Sequence, residues 1–208
     1  MSEFGQNDDV LGTVVSVLKR EEAGISQLRG SLKEQEEAIT KIVEMINKCQ
    51  GKLIVSGIGK SGHVGKKLAA SFASLGTSSL FVHPGESAHG DRGMIESQDL
   101  VILITNSGET SEVLNLIPYL KSIEVPIISI TGGLDCRLAR KADVALTTGV
   151  QREADPWDLA PTTSSTVTLA LGDAIAIAVA RLQGFTEEDF FKFHPGGALG
   201  EQLIADSD

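Results

Sequence analysis

Several features that would define other protein classes are scarce or missing in this chain. Its only cysteines are Cys49 and Cys136, too few for a disulfide framework, and no cysteine spacing typical of a metal site occurs. We expect both thiols to be inert and partly buried, in a reducing compartment. The first nine residues, MSEFGQNDD, are polar and acidic, unlike a signal or transit peptide. No apolar run approaches the ~18 residues of a membrane span. These absences predict a cytoplasmic protein that is not bound to a membrane.

Excess positive charge is also missing, since the formal net charge is −10. A nucleic-acid-binding protein needs a basic stripe to displace counterions from phosphates. The sequence offers none, so we expect no nucleic-acid partner. An anionic small molecule remains compatible with this charge, provided that local donors hold it rather than the overall field.

What is present predicts one α/β domain. The 208 residues, 41% of them hydrophobic, can bury an ordinary core, and no linker divides them. Residues 1–50 have the apolar period of a helix or helix pair, and their stripe can pack on the domain or on another subunit. Short apolar runs then alternate with helical patterns through residues 51–208. The runs are 53–57, 79–83, 99–105, 125–131 and 142–148.

Runs of this kind predict a three-layer, doubly wound sheet of about five parallel strands, with an N-terminal helical extension. Residues 162–184 then predict a long, nearly uncharged helix that is apolar almost all round. Such a helix is buried or lies at a subunit interface. Its first residues are rich in Ser and Thr, which are good helix N-caps.

The loop after the first strand, GIGKSG at 57–62, matches a dinucleotide-binding fingerprint in form only. That reading needs an acidic residue at the end of the second strand, where this chain has Val82 and His83. We therefore expect no dinucleotide. The glycines still let backbone amides approach an anion, and Lys60 and Ser61 add a cation and a hydroxyl. The plain alternative is an ordinary strand-to-helix turn with a solvated Lys60.

The loop after the third strand, TNSGETSE at 105–112, is dense in hydroxyl and amide donors. Ligands of open parallel sheets bind beyond the carboxyl ends of the strands. A phosphate suits several neutral donors at the start of a helix. Ser61, Ser107 and Thr110 are thus predicted to hold a phosphate. Helix capping would explain one such residue but not so many.

These two loops resemble the phosphate-binding pair of the SIS (sugar isomerase) family. Three more stretches are similar to the isomerase domain of arabinose-5-phosphate isomerases: FVHPGESAHGD at 81–91, LAPTTSSTVTLALGDA at 159–174 and HPGGALG at 194–200. The resemblance implies a SIS domain over residues 51–208, after N-terminal helices at 1–50. It also implies a short form without the paired CBS modules that usually follow, and a homotetramer.

Residue roles come from the same resemblance. It places Lys60, Glu112, Glu153 and His194 at catalytically relevant positions. Substrate contacts are implied for Gly76, Thr77 and His89, beside Ser61, Ser107 and Thr110. His83 resembles a position associated with zinc in some members, although a structural role is the simpler reading. No cofactor is required by the implied reaction.

The implied reaction interconverts D-ribulose 5-phosphate and D-arabinose 5-phosphate, and would supply the synthesis of Kdo, a sugar of bacterial lipopolysaccharide. It needs a base for a carbon-bound proton and a group that handles the oxygen protons. We take Glu153 as the base, Glu112 as its rival and His194 as the partner. Without the resemblance, Glu112 is a first-turn helix charge, Glu153 a solvated loop acid and His194 a turn residue. Two alternatives stay open: a non-catalytic sugar-phosphate sensor, and an isomerase of another sugar phosphate.

Overall fold

A computed structural model describes residues 9–194 of the chain. Five parallel strands form one sheet in the order β2-β1-β3-β4-β5, which confirms the predicted doubly wound fold. Each strand is built from the β-branched and leucine-rich runs found in the sequence, although β2 is shorter than expected. The strands are β1 (Leu53–Gly57), β2 (Ser79–Phe81), β3 (Leu100–Ile104), β4 (Ile127–Thr131) and β5 (Val144–Thr147).

Helices connect the strands and cover both faces of the sheet. Two of them precede the sheet, as the helical period of residues 1–50 predicted, and the longer connections also contain short 3₁₀ turns. The helices are α1 (Val10–Ser31), α2 (Glu36–Lys48), α3 (Gly59–Ser74), α4 (Ser111–Leu114), α5 (Ile117–Ser122), α6 (Arg137–Lys141), α7 (Thr163–Leu182) and α8 (Glu187–Phe193).

Two apolar cores lie on opposite faces of the sheet, because successive residues of a strand point to opposite sides. Val55 and Ile102 face a core shared with α2, α3 and α7. Ile54 and Leu103 face the second core, which α4, α5 and α6 cover. This is the three-layer arrangement that near-continuous apolar strands require.

The junction between α1 and α2 covers the open edge of the sheet at β5. The Gln35 side-chain amide donates to the Thr147 carbonyl at 3.1 Å, and its oxygen accepts the Thr147 N–H at 2.9 Å. One side chain thereby satisfies backbone groups that an edge strand would otherwise expose. A few residues earlier, Gln27 donates to the Gly149 carbonyl at 2.8 Å. The N-terminal helices are therefore attached to the chain segment that follows β5.

The apolar stripe of the N-terminal helices is divided between two environments. Leu28, Ile42 and Ile46 are buried in the domain core. At Gly24, α1 lies so close to α7 that an added Cβ would come within 2.6 Å of the Thr163 methyl group. The first half of the stripe stays exposed, with Leu18 at 60% of its surface. Packing on the domain accounts for half of the stripe.

The sequence led us to expect no segment long and apolar enough to span a membrane, and the long helix α7 corrects this expectation. By length and mean hydropathy, 1.5, it is apolar enough to span a membrane. The expectation failed because Ala, Gly, Ser and Thr interrupt the large apolar residues without adding charge. In the structure α7 packs against α1, α2 and α3, and buries residues along its whole length, from Ser164 to Ala180. One face of α7 thus packs in the core, while the other leaves apolar residues such as Ile177 exposed.

Candidate active site

One cavity of about 300 Å³ opens at the carboxyl edge of the sheet, between the loop after β1, the loop after β3 and the first turns of α7. It brings together four residues predicted from the sequence, Lys60, Ser61, Ser107 and Thr110. The carboxyl ends of parallel strands β1 and β3 meet here, as expected for ligand sites of such sheets. The remaining lining residues are Ile58, Val64, Thr105, Asn106, Pro161, Ser164, Ser165 and Thr168.

Hydroxyl groups dominate the polar lining of this cavity, and they are held by one another and by the backbone. Thr105 Oγ1 lies 2.7 Å from Thr110 Oγ1. Ser107 Oγ accepts the Glu109 N–H at 3.2 Å. Such fixed neutral donors suit an anion, because they need not be reoriented when it binds.

The charge around the cavity is also favourable for an anion. Lys60 is the one cation among the lining residues, which include no carboxylate. Helix α3 begins at Gly59 beside the cavity, with no acidic residue in its first turn and no side-chain cap. The first N–H groups of a helix lack partners within the helix and carry its positive end. The start of α3 is therefore available to a ligand.

Glu153 lies at the start of α7 and is buried, with 8% of its surface exposed. One carboxylate oxygen accepts the Thr162 and Ser164 N–H groups at 2.9 and 3.1 Å, and the Thr162 hydroxyl at 3.2 Å. The other accepts the Ser164 hydroxyl. Glu153 is therefore not a solvated loop acid. It caps α7, and through Ser164 it is one hydrogen bond from the cavity.

Glu112, the rival base, lies outside the residues that line the cavity. It is exposed in the first turn of α4. Its own backbone N–H, the Ser111 hydroxyl at 2.9 Å and the charge of nearby His83 hold the pKa of the Glu112 carboxyl below its ordinary value. His89 is exposed in a 3₁₀ turn after β2. These residues share the carboxyl edge of the sheet but do not line the cavity with Lys60.

The residues around His83 do not fit a zinc site. His83 Nδ1 accepts the Gly85 N–H at 3.2 Å, so the turn after β2 already uses one ring nitrogen. Across residues 9–194 no three His, Cys, Asp or Glu side chains come together as ligands would. Structural zinc needs four ligands and catalytic zinc three. Residues 9–194 of one chain therefore offer no zinc site at His83.

Three of the predicted site residues lie at the opposite, amino edge of the sheet. Gly76 and Thr77 precede β2, and a Cβ on Gly76 would come within 2.7 Å of the Phe185 ring. Phe185 stacks with Phe193 of α8, at 6.1 Å between ring centroids. His194 directly follows, stacked on Phe190 at 3.9 Å. The rest of the motif beginning at His194, residues 195–200, lies outside the described residues.

The length of α7 sets the separation between these two groups of residues. The helix starts at the cavity and has 20 residues, which at about 1.5 Å per residue makes it roughly 30 Å long. His194 comes after its far end. Within one chain, therefore, His194, Gly76 and Thr77 do not approach the cavity that contains Lys60 and Ser107.

Sequence reasoning missed the contribution of α7 to the cavity. Ser164, Ser165 and Thr168 line it, but their Ser- and Thr-rich segment was interpreted only as a helix cap. The signal was present in the unusual number of hydroxyl groups there. A high density of hydroxyl groups is also what marks the loop after β3 as a site.

The fold and this cavity belong to a known class. The SIS domain family model matches residues 45–178, and the chain belongs to the SIS domain family. The match includes all five strands, both loops that contribute to the cavity and most of α7.

Within this family the chain is similar to proteins named arabinose 5-phosphate isomerase KdsD. It is 53% identical to that of Salmonella typhi over 188 residues, which are 90% of this chain and 56% of the relative. It is 58% identical to that of Escherichia coli K12 over 156 residues, 75% of this chain and 48% of the relative. The chain thus spans about half the length of these relatives.

A solved structure of an E. coli CFT073 protein in complex with arabinose 5-phosphate has a similar fold. Its TM-score is 0.86 and its sequence identity 40%, over 92% of this chain and 100% of that one.

Proposed function

We propose that this chain is an aldose–ketose isomerase that interconverts D-ribulose 5-phosphate and D-arabinose 5-phosphate. The observation that supports it most is the hydroxyl-lined cavity at the open start of α3, since its donors suit a phosphate ester. The named relatives are arabinose 5-phosphate isomerases. The E. coli CFT073 protein was solved with arabinose 5-phosphate, the aldose of this pair.

The phosphate group is assigned to Ser61, Ser107 and Thr110, with the positive end of α3 and Lys60 balancing its charge. These donors come from two different strand ends, so they fix the position of the phosphate as well as binding it. A phosphate anchored there directs the sugar carbons toward the start of α7, where Ser164 lines the same cavity.

The reaction moves one proton between two carbons. A base removes the proton from C2 of the open-chain aldose, the C2 electrons form a C1–C2 double bond, and O1 takes a proton, which gives an enediol(ate). Loss of the O2 proton and return of a proton to C1 gives the ketose. We assign the carbon proton to Glu153, which is buried and contacts Ser164 of the cavity. Glu112 is the alternative base.

The oxygen protons, or opening of the sugar ring, are assigned to His194, because imidazole can both give and accept a proton near neutral pH. Its position at the far end of α7 means that the His194 serving one cavity must come from another chain. The same holds for Gly76 and Thr77, if they contact the substrate. We therefore propose a homo-oligomer, a tetramer as the family resemblance implies, whose sites combine two edges of different chains.

The cellular role follows from the product. We propose a cytoplasmic enzyme whose arabinose 5-phosphate supplies the synthesis of Kdo and lipopolysaccharide, as the KdsD name of the relatives suggests. The chemistry calls for no dinucleotide, because the enediolate can be held by protein donors.

The experiment that tests this proposal is conversion of ribulose 5-phosphate followed by NMR, with other pentose and hexose phosphates in parallel. The proposal expects arabinose 5-phosphate as product and the highest kcat/KM for this pair. Binding of sugar phosphates without any turnover would instead identify a non-catalytic sensor. A higher kcat/KM for another sugar phosphate would identify a different isomerase.

A further inference from the structure

The loop after β3, which contributes Ser107 and Thr110 to the cavity, rests on the loop after β4. The Asn106 carbonyl accepts the Gly132 N–H at 2.9 Å, and the Gly108 carbonyl accepts the Leu138 N–H at 3.1 Å. Gly108 has a φ of 66°, which favours glycine. It also leaves no room for a Cβ, which would overlap the Cys136 sulfur.

Glu109 makes the strongest polar connection between the two loops. One carboxylate oxygen accepts the Arg137 N–H at 2.7 Å, and the other accepts the Arg137 Nε–H. The guanidinium also reaches the Glu109 carbonyl at 3.4 Å. The pair is partly exposed, with 45% and 59% of the side-chain surfaces accessible. Because the backbone N–H and the Nε–H of Arg137 each bind one carboxylate oxygen, the contact is better defined than a surface ion pair with a single hydrogen bond.

A carboxylate at position 109 is unexpected on electrostatic grounds. Its neighbours Ser107 and Thr110 both line the cavity assigned to phosphate, and a free carboxylate between them would repel a dianion. In the structure, Glu109 does not line the cavity. The Arg137 backbone N–H and guanidinium hold the pKa of its carboxyl below the ordinary value. Arg137 therefore stabilises the charged form of this carboxyl, turns it away from the cavity and neutralises it.

We propose that Glu109 and Arg137 are positioning residues that set the affinity for the phosphate of the substrate, with Arg137 shielding that phosphate from the Glu109 charge. The inference rests on the proposed function, since it presumes phosphate at Ser107 and Thr110. Under this proposal neither residue touches the reacting atoms, so we expect both residues to affect KM rather than kcat.

The test compares Arg137→Ala, Glu109→Gln and the double variant in steady-state kinetics with arabinose 5-phosphate. Arg137→Ala removes the guanidinium but keeps the backbone N–H on Glu109, so the carboxylate is no longer neutralised, and we expect KM to rise roughly tenfold, the size of one like charge at short range. Glu109→Gln keeps an acceptor without charge and should change KM by less than about threefold. The double variant should bind better than Arg137→Ala alone, and kcat should stay within about twofold throughout.

Ionic strength gives a readout that a merely structural role would not move. Added salt screens exposed charges. It should therefore reduce the ratio of the KM of Arg137→Ala to that of the wild type, and leave the same ratio for Glu109→Gln unchanged. Arg140→Ala is the matched control, because Arg140 lies on the same short helix and pairs with Asp135, while its charge acts on Glu109 more weakly than that of Arg137. Equal KM values for Arg137→Ala and Arg140→Ala, or a double variant as impaired as Arg137→Ala, would overturn the inference.

Binding of inorganic phosphate, measured by the shift in melting temperature, separates this inference from the proposed function. If the wild type lacks isomerase activity yet phosphate stabilises it and Arg140→Ala more than Arg137→Ala, the isomerase proposal fails and the shielding role stands. If phosphate stabilises all three equally, the shielding role fails whatever the activity. Should Arg137→Ala not fold, Arg137→Lys replaces it, with a smaller KM increase expected because lysine keeps the positive charge but not the Nε–H contact to Glu109.

Discussion

The two edges of the sheet differ in what they offer a substrate. The carboxyl edge has a cavity with one cation, fixed hydroxyl groups and the buried carboxylate of Glu153 close by. The amino edge has Gly76, Thr77 and His194 among the aromatic rings of Phe185 and α8. Under our proposal, the first edge holds and deprotonates a sugar phosphate. The second supplies the His194 imidazole.

This difference shows why a single chain is an incomplete enzyme under our proposal. Helix α7 connects the two edges, and its roughly 30 Å length keeps its two ends apart. Side-chain motion does not cover such a distance. If both edges serve one reaction, a second chain must place its amino edge against the first chain's cavity.

The largest expected effect comes from removing the base at the carboxyl edge. Glu153→Gln should abolish turnover and also the incorporation of solvent deuterium at C2 of arabinose 5-phosphate, because no other group would take the carbon proton. The variant should still bind substrate, since the phosphate donors are unchanged. NMR in deuterated water measures the exchange, and circular dichroism checks the fold. Glu112→Gln is the comparison: if it loses exchange while Glu153→Gln retains it, the two roles are reversed.

A smaller loss is expected when the connection between Glu153 and the cavity is cut. Ser164→Ala removes the hydroxyl that donates to Glu153. We expect kcat to fall by about ten- to a hundredfold, the range that a hydrogen bond to a charged group supports. Thr166→Ala, two positions along α7 and outside the cavity lining, is the matched control. A kcat loss of the same size in both variants would indicate a general disturbance of α7.

At the phosphate end of the same cavity, the expected effect is on binding. Ser107→Ala should raise KM by roughly tenfold or less and leave kcat nearly unchanged, because phosphate binding contributes equally to ground and transition states. Steady-state kinetics measure both constants. A selective fall in kcat with KM unchanged would mean that Ser107 does not hold the phosphate.

The smallest effect should come from the amino edge, where Asp189 and Thr186 cap α8. Hydrogen bonds from Lys192 and from Thr186 lower the pKa of Asp189 from 3.8 to about 2. Because that pKa is lower in the folded state, the stabilisation is complete above about 3.8 and is lost as pH falls through about 2. Asp189→Asn should therefore reduce the amide-exchange protection of α8 at neutral pH by roughly fivefold, the size of a lost cap, and should change activity less than that. Equal protection in wild type and variant at pH 7 would show that the cap does not hold α8.

Much of this picture could be read from the sequence because the underlying rules are local. Apolar runs predict the strands, and parallel strands bring their carboxyl ends together, so Ser61 and Ser107 could be placed in one site. The apolar stripe of α1 was equally clear. The helical spacing of apolar residues reveals an apolar face of α1 but not what packs against it. In the structure, Leu28 of this stripe is buried in the core and Leu18 is exposed to solvent.

Other features depend on tertiary geometry that no local rule contains. The segment between β5 and α7 carries Glu153, and nothing in its composition indicates that Glu153 folds back to cap α7 beside Ser164. Because Glu153 folds back onto the first turn of α7, Ser164 is held beside the cavity. By contrast, the remoteness of His194 could have been estimated in advance from the length of the predicted helix at 162–184.

The measurement that tests the two-edge site most directly is complementation between two inactive variants. Subunits carrying His194→Ala keep an intact carboxyl edge, and subunits carrying Glu153→Ala keep an intact amino edge. Mixed oligomers, verified by mass spectrometry after co-expression, should regain a substantial fraction of wild-type isomerase activity, because some of their sites combine one intact edge from each chain. Mixed oligomers as inactive as the two parents would contradict the account, since Glu153 and His194 would then not act together across an interface.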